Sequence, residues 1–264
     1  MSTEVDIKNR KLDLNIQLLC AWCGPLFVLI YLVFWWGIAG FVPPQDPTWS
    51  PEQIFAFYDQ NRMSIRIGQM GACVAIIVLV PNWLYIASCI RDIEVRRGIK
   101  PMMYLIFNGS AIINMVFLQL ISLCWLLCTW TDAGMSAETI KSWHVFGWFL
   151  FVVPFALYTL QLITQGFAIL LDDSAEPWLP RWCGYLCLAE VPTSALGGLA
   201  VFFRTGPFAW NGLLGFYVLC ICFAGWIILM GVMMARSVRR RARALEFESS
   251  ATTDSAPMAT VAGS

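Results

Sequence analysis

IGQMGACVAIIVLVPNWLYIASCI, residues Ile67–Ile90, is a continuous apolar run without a Lys, Arg, Asp or Glu residue. A helix needs about 20 mostly apolar residues to cross the hydrocarbon core of a bilayer. Five further stretches meet this requirement: Ile16–Val42, Met103–Trp130, Trp143–Leu171, Trp182–Phe203 and Phe208–Val238. Continuous runs favour helices over a β-barrel, whose strands alternate between apolar and polar residues. The sequence therefore predicts an all-α integral membrane protein, a bundle of six transmembrane helices.

The composition of the 264-residue chain agrees with this fold. Apolar residues make up 59% of the chain, charged residues make up 13%, and the mean hydropathy is +0.67. A soluble domain of this length needs more polar surface than that, so the lipid bilayer is the predicted partner. No soluble module with a basic face is present, which excludes a nucleic-acid partner.

The distribution of Lys and Arg predicts the orientation. With six spans, thirteen of the 17 Lys and Arg residues fall on one side of the membrane and four on the other. Cationic residues gather on the cytoplasmic side, so both termini are predicted to be cytoplasmic. The predicted divisions are a cytoplasmic N-terminal segment (1–15), a transmembrane domain (16–238), and a cytoplasmic tail (239–264) that is basic and then, after Leu245, disordered.

The first outer loop carries a helix start. Ser50 is a suitable N-cap, Pro51 suits the first helical position, and Gln53 completes a capping-box pattern. The residues that follow mix aromatic and polar side chains. We therefore predict a short helix that lies in the membrane interface on the outer face.

The residue inventory excludes several kinds of cofactor. His144 is the only histidine, whereas membrane haem, di-iron and copper sites use several imidazoles. No span contains the Lys that a retinal Schiff base needs, and neither a P-loop nor a G-x-S-x-G motif occurs. We therefore predict no cofactor and no metal site.

Ten cysteines all lie in the predicted spans. Cys20-Ala-Trp-Cys23 has CxxC spacing and is followed by Gly24-Pro25, but the second cysteine of a thioredoxin motif is absent. Thiols in lipid usually serve as small apolar packing residues, and that is our interpretation of these cysteines.

Glu190 is the one acidic residue that falls well inside a predicted span. A charged side chain at the centre of a bilayer costs roughly 2.5–3.5 kcal/mol, so such a residue is usually paired or functional. The same helix contains Pro192 and Gly197-Gly198, which weaken its backbone hydrogen bonding. Small and polar residues share one face of it: Cys183, Cys187, Glu190, Ser194 and Gly197.

Neighbouring spans supply possible partners for this carboxyl group. Tyr158, Gln161 and Gln165 follow Pro154 along one stripe of the fourth span, and Asn108 lies in the third. Side chains of this kind face away from lipid. We predict a polar pocket whose ligand-binding residues are Glu190, Gln161, Gln165, Asn108 and Tyr158. Interhelical hydrogen bonding alone is the alternative explanation.

Three functions fit these features. The preferred one is binding or transport of a small molecule or ion through the pocket around Glu190. The second is a non-catalytic subunit or assembly factor, which implies a membrane-complex partner or a homo-oligomer. The third is an enzyme acting on a lipid or isoprenoid, with Asp172-Asp173 as a possible Mg²⁺–diphosphate site, although a solvated loop explains these acids better.

Trp22–Pro25, the Pro43-Pro44 loop and Gly206–Asn211 resemble features of small bacterial inner-membrane proteins. This resemblance implies location in a bacterial cytoplasmic membrane. It implies no activity and no functional residue.

Overall fold

The computed structural model describes residues 2–254, with side chains described for residues 6–247. Helix accounts for 81% of the structure, and no strand occurs in the described range. Six helical segments are long and apolar enough to cross a membrane. The predicted all-α fold with six spans is therefore confirmed.

The described residues form eight α-helices, and all but the second belong to these spans. They are α1 (Ser2–Tyr31), α2 (Pro51–Gln60), α3 (Arg62–Arg96), α4 (Met102–Leu127), α5 (Ala137–Val152), α6 (Phe155–Leu171), α7 (Arg181–Ala195) and α8 (Leu219–Asp254). Three irregular helical segments extend them. Leu32–Ile38 after α1 and Leu213–Val218 before α8 are π-helical, and Leu196–Val201 after α7 is a 3₁₀-helix.

Two differences from the sequence prediction concern the ends of the chain. Helix α1 already begins at Ser2, so the polar N-terminal segment extends the first span as helix. Helix α8 continues to Asp254, beyond Leu245, where the sequence predicts a disordered tail. The remainder of that tail, residues 255–264, lies outside the described residues.

The predicted helix in the first outer loop is present as α2. The Ser50 side chain accepts a hydrogen bond from the Gln53 backbone N–H, and the Ser50 N–H donates to the Gln53 side chain at 2.7 Å. Ile54 and Tyr58 are buried, so α2 packs on the bundle through one face. Its depth in a membrane interface stays a prediction.

The two ends of the bundle differ in charge. At one end, which we call the basic end, Arg96 and Arg97 at the end of α3 pair with Asp172 and Asp173 after α6. At the opposite end, called the α2 end, Arg62 bridges Asp59 of α2 and Asp132. Hydrogen bonds from Thr131 and from Arg62 hold the pKa of Asp59 below its usual value.

Proline determines where two spans break. The fourth span is two helices, because α5 ends at Val152 and Pro154 precedes α6. Proline lacks the N–H that would continue the backbone ladder. In the fifth span Pro192 lies inside α7, and the chain becomes 3₁₀-helical through Gly197-Gly198.

A third proline, Pro25, ends the Cys-x-x-Cys-Gly-Pro stretch of α1 and leaves one backbone carbonyl without its usual helical partner. Pro25 cannot donate to the carbonyl of Ala21, and the Asn82 amide of α3 donates to that oxygen at 3.1 Å. Asn82 also donates to the Cys20 carbonyl at 3.1 Å. Cys20 and Cys23 are half-buried free thiols, and their packing role stays a prediction.

The core at the α2 end is rich in aromatic rings around Trp35, Phe41, Trp125 and Trp148. The single histidine, His144, is 1% exposed within it. Trp148 Nε1–H donates to His144 Nε2 at 3.2 Å. Because Nε2 accepts, the ring proton lies on Nδ1, which contacts Tyr58 Oη at 2.8 Å. Both ring nitrogens are satisfied, and His144 joins α5 to α2.

Gly231 of α8 permits the close approach of α8 to α1. A Cβ at this position would lie 2.4 Å from Pro25 Cδ and 2.9 Å from the Ala21 carbonyl oxygen. Gly225 on the same helix has no atom within 4 Å of the corresponding point. Small residues at such contacts let membrane helices pack closely.

We expect Gly231→Ala to lower the stability of the purified protein by about 1–3 kcal/mol, because the added methyl group overpacks the α1–α8 contact. Gly225→Ala makes the same change at an open position and should leave stability unchanged or slightly higher. Thermal unfolding in detergent measures both variants. Equal stability of the two would contradict the close contact.

Candidate functional site

An apolar cavity of about 150 Å³ lies among the spans. Residues of α1, α4, α6 and α8 line it, together with the α5–α6 break and Ser194 of α7. Most of the lining is aromatic or aliphatic, including Phe27, Trp35, Phe117, Phe151, Phe155 and Phe223. Apolar cavities with a few polar groups are the usual form of small-molecule sites.

The irregular helices explain why a cavity forms here. Leu32 and Trp35 of the π-helical segment, Pro154 at the α5–α6 break and Leu219 at the start of α8 all contribute to its wall. Regular helices pack by fitting ridges into grooves. Where the ladder is interrupted, the ridges no longer match their neighbours, and a gap remains between the spans.

Five residues with a polar side-chain group line this cavity: Tyr31, Trp35, Asn114, Tyr158 and Ser194. The Trp35 indole N–H is buried and has no partner among the described residues. The Tyr31 hydroxyl is buried and has no hydrogen-bond partner in the described part of the protein. Asn114 is 8% exposed. The Ser194 hydroxyl donates to the Val191 carbonyl at 2.7 Å and is therefore already bonded.

Tyr158 connects the cavity to the carboxyl group that the sequence predicts as its centre. The Tyr158 hydroxyl donates to Glu190 Oε1 at 2.8 Å. Glu190 is 8% exposed, and the rings of Phe223 and Trp226 contact the Tyr158 ring edge-on. The Tyr158 side chain therefore borders the cavity and has its hydroxyl toward α7.

Two glycines set the distance between α6 and α7 that this bond requires. A Cβ on Gly184 would lie 2.9 Å from the Gly166 carbonyl oxygen, and a Cβ on Gly166 would lie 3.1 Å from the Gly184 oxygen. The backbones therefore approach closely, as small residues permit in membranes. Gly184 is not one of the residues of the small face predicted on the fifth span, but the five residues of that face are all buried.

The other predicted site residues are placed differently. Gln161 and Gln165 are fully buried, and neither amide has a hydrogen-bond partner among the described residues. They share the buried face of α6 with Tyr158 but do not line the cavity. Asn108 is half-buried and is not a lining residue either. The structure thus brings Tyr158 and Glu190 together and leaves Asn108 outside the cavity.

Sequence reasoning missed Asn114 and Tyr31. Asn114 lies six residues after Asn108 and therefore on a different side of α4, yet it lines the cavity. Nothing in the sequence distinguishes Tyr31 from the other residues of the apolar run in which it lies. Only the packing of α1 against α3 and α8, with the cavity beside it, identifies Tyr31 as a polar residue in an apolar wall.

The solvated position expected from the sequence is wrong for Asp172 but holds for Asp173, whose side chain is 74% exposed. Asp172 is 6% exposed, pairs with Arg96 and accepts the Trp178 backbone N–H at 2.7 Å. Asp173 pairs with Arg97. Both carboxylates thus hold the α6–α7 connection to α3, and these bonds remove the basis for a diphosphate site. Within the described residues, no three His, Cys, Asp or Glu side chains form a metal-binding group.

No protein-family model, no curated protein and no solved structure matches this chain. The chemistry of the site is therefore what points to a function. Its wall is apolar, Tyr31 and Asn114 are among its polar lining residues, and the Tyr158–Glu190 hydrogen bond lies beside it. Such a lining suits a small and largely apolar molecule with one hydrogen-bonding group.

We expect Tyr158→Phe to lower stability by about 1–2 kcal/mol, because Glu190 loses its buried donor. Glu190→Gln keeps a carbonyl acceptor for Tyr158 and should cost less. Tyr185→Phe on exposed α7 surface is the matched control, since Tyr185 is 58% exposed. Thermal unfolding in detergent compares the three. A Tyr158→Phe variant as stable as Tyr185→Phe would show that the bond contributes nothing.

Proposed function

We propose that this chain is a multi-pass protein of a cytoplasmic membrane, with both termini in the cytoplasm, that binds a small and largely apolar molecule in the cavity beside Tyr158 and Glu190. The bias of Lys and Arg toward the basic end supports the orientation. The six apolar helices support the membrane location. The ligand would enter from the lipid phase, in which such a molecule dissolves.

The observation that carries this proposal is the Tyr31 hydroxyl, which is buried and has no partner among the described residues, on a residue that lines the apolar cavity. Leaving a buried polar group unpaired costs about 1–3 kcal/mol. A ligand that accepts or donates one hydrogen bond at this point recovers that cost, and its apolar body fills the rest of the cavity. The unpaired hydroxyl therefore favours a ligand with one polar group.

The size of the cavity limits the ligand. A dry protein cavity of about 150 Å³ accommodates benzene, and this cavity has a volume of about 150 Å³. A single ring, a short branched chain or the end of a longer lipid fits. The lining offers no carboxylate and few oxygen atoms, which makes this cavity a poor binding site for a metal cation.

Phenol and benzene are suitable probes, because they differ by one hydroxyl group. We expect phenol to raise the unfolding temperature of the purified protein more than benzene does at equal concentration, as a ligand of the folded state should. Ala224→Leu fills the cavity from α8 and should abolish the phenol effect.

Ala242→Leu is the matched control for this experiment. Ala242 is half-buried on the same helix and does not line the cavity, so the phenol effect should persist. Tyr31→Phe should make phenol and benzene raise the unfolding temperature by similar amounts, as expected of an apolar site. If Ala224→Leu and the unmodified protein respond equally, phenol binds elsewhere and the proposed site is wrong.

A further inference from the structure

A second cavity, of about 230 Å³, lies at the basic end of the bundle. It is bounded by the end of α3, the connection between α6 and α7, and α8. Its wall is polar and carries both signs of charge: Asp92, Arg96, Glu176, Arg240 and Arg241. This cavity is separate from the apolar cavity, with which it shares no lining residue.

The wall of this cavity is firmly built. Trp178 is 7% exposed, and its backbone N–H donates to Asp172, which also pairs with Arg96. Arg241 donates to Tyr85 Oη at 3.1 Å and so fixes α8 against α3. Three segments distant in sequence therefore meet in a defined arrangement.

Several polar groups of this wall have no partner within the protein. Trp178 Nε1 and Arg241 Nε are buried and make no hydrogen bond with any described residue. Asp92, Glu176 and Arg240 form neither an ion pair nor a side-chain hydrogen bond in the described part of the chain. Opposite charges thus line one cavity without pairing with each other.

We propose that this cavity binds the zwitterionic headgroup of a membrane phospholipid, of the phosphoethanolamine type. Arg240 and Arg241 are the groups for the phosphate, because guanidinium groups form strong charge-assisted hydrogen bonds to phosphate oxygens. Asp92 and Glu176 are the groups for the ammonium. The carboxylates disfavour a purely anionic headgroup, which they would repel.

The place of the cavity favours a lipid as the source of this headgroup. It lies at the end of the bundle where the Lys and Arg residues gather, which is the level at which transmembrane helices meet lipid headgroups. A lipid that spans from this cavity along α3 and α8 keeps its acyl chains on apolar helix surface, where Val95 is 57% exposed.

Native mass spectrometry of the full chain in detergent, with added dioleoyl phosphatidylethanolamine or dioleoyl phosphatidylglycerol, tests this inference. We expect tighter binding of phosphatidylethanolamine. Arg240→Gln should weaken that binding about tenfold, as loss of one charged contact implies. Arg243→Gln removes the same charge from exposed α8 surface outside the cavity and should leave binding unchanged.

Two further measurements separate the parts of the proposal. Asp92→Asn should lower the preference for phosphatidylethanolamine over phosphatidylglycerol, because the ammonium loses its counterion. Soluble phosphoethanolamine should compete with the lipid only at much higher concentration. Equal effects of Arg240→Gln and Arg243→Gln, or no preference between the two lipids, would overturn the site. Competition at equal concentration would overturn the lipid as its source.

Discussion

The requirement that every backbone polar group find a partner inside the protein governs this structure, because lipid offers none. Helices meet it within themselves, except where proline interrupts the ladder. At Pro25 the interruption is repaired from another helix, since Asn82 of α3 donates to the Ala21 carbonyl. Asn82 is 1% exposed. A polar residue in the middle of a span therefore serves as a substitute for the missing N–H.

The same interruptions create the candidate site. Pro154 divides the fourth span, and π-helical segments extend α1 and precede α8. Each change of helical pitch disturbs the fit between neighbouring helices, and the apolar cavity lies where these disturbed segments meet. A functional site at interrupted helices is a common arrangement in membrane proteins. In this chain the interruptions belong to α1, α5–α6 and α8 as much as to the span that contains Glu190.

Some buried polar groups have hydrogen-bond partners in the described structure, and others, among them Gln161 and Gln165 outside both cavities, have none. His144 has both ring nitrogens bonded and joins α5 to α2. Glu94 is 1% exposed and accepts the backbone N–H groups of Met103 and Tyr104, so it caps the start of α4. Tyr31 at the apolar cavity and Trp178 at the basic end keep a donor without a partner in the described structure. Each cavity is thus lined by a residue that carries a buried donor without a partner in the described structure.

The sequence by itself determined the six spans, the capped start of α2 at Ser50 and the inward faces that carry Tyr158, Gln161 and Glu190. These features depend on the length of apolar runs, on capping residues and on the helical period, all of which are local properties of the sequence. The tertiary structure alone decided that Tyr158 bonds Glu190, that Asn114 and not Asn108 lines the cavity, and that Asp172 is buried. These outcomes depend on the rotation and separation of packed helices. Close contacts such as that of Gly166 with Gly184 determine the rotation and the separation of the helices. The periodicity of a single helix does not indicate which other helix it packs against.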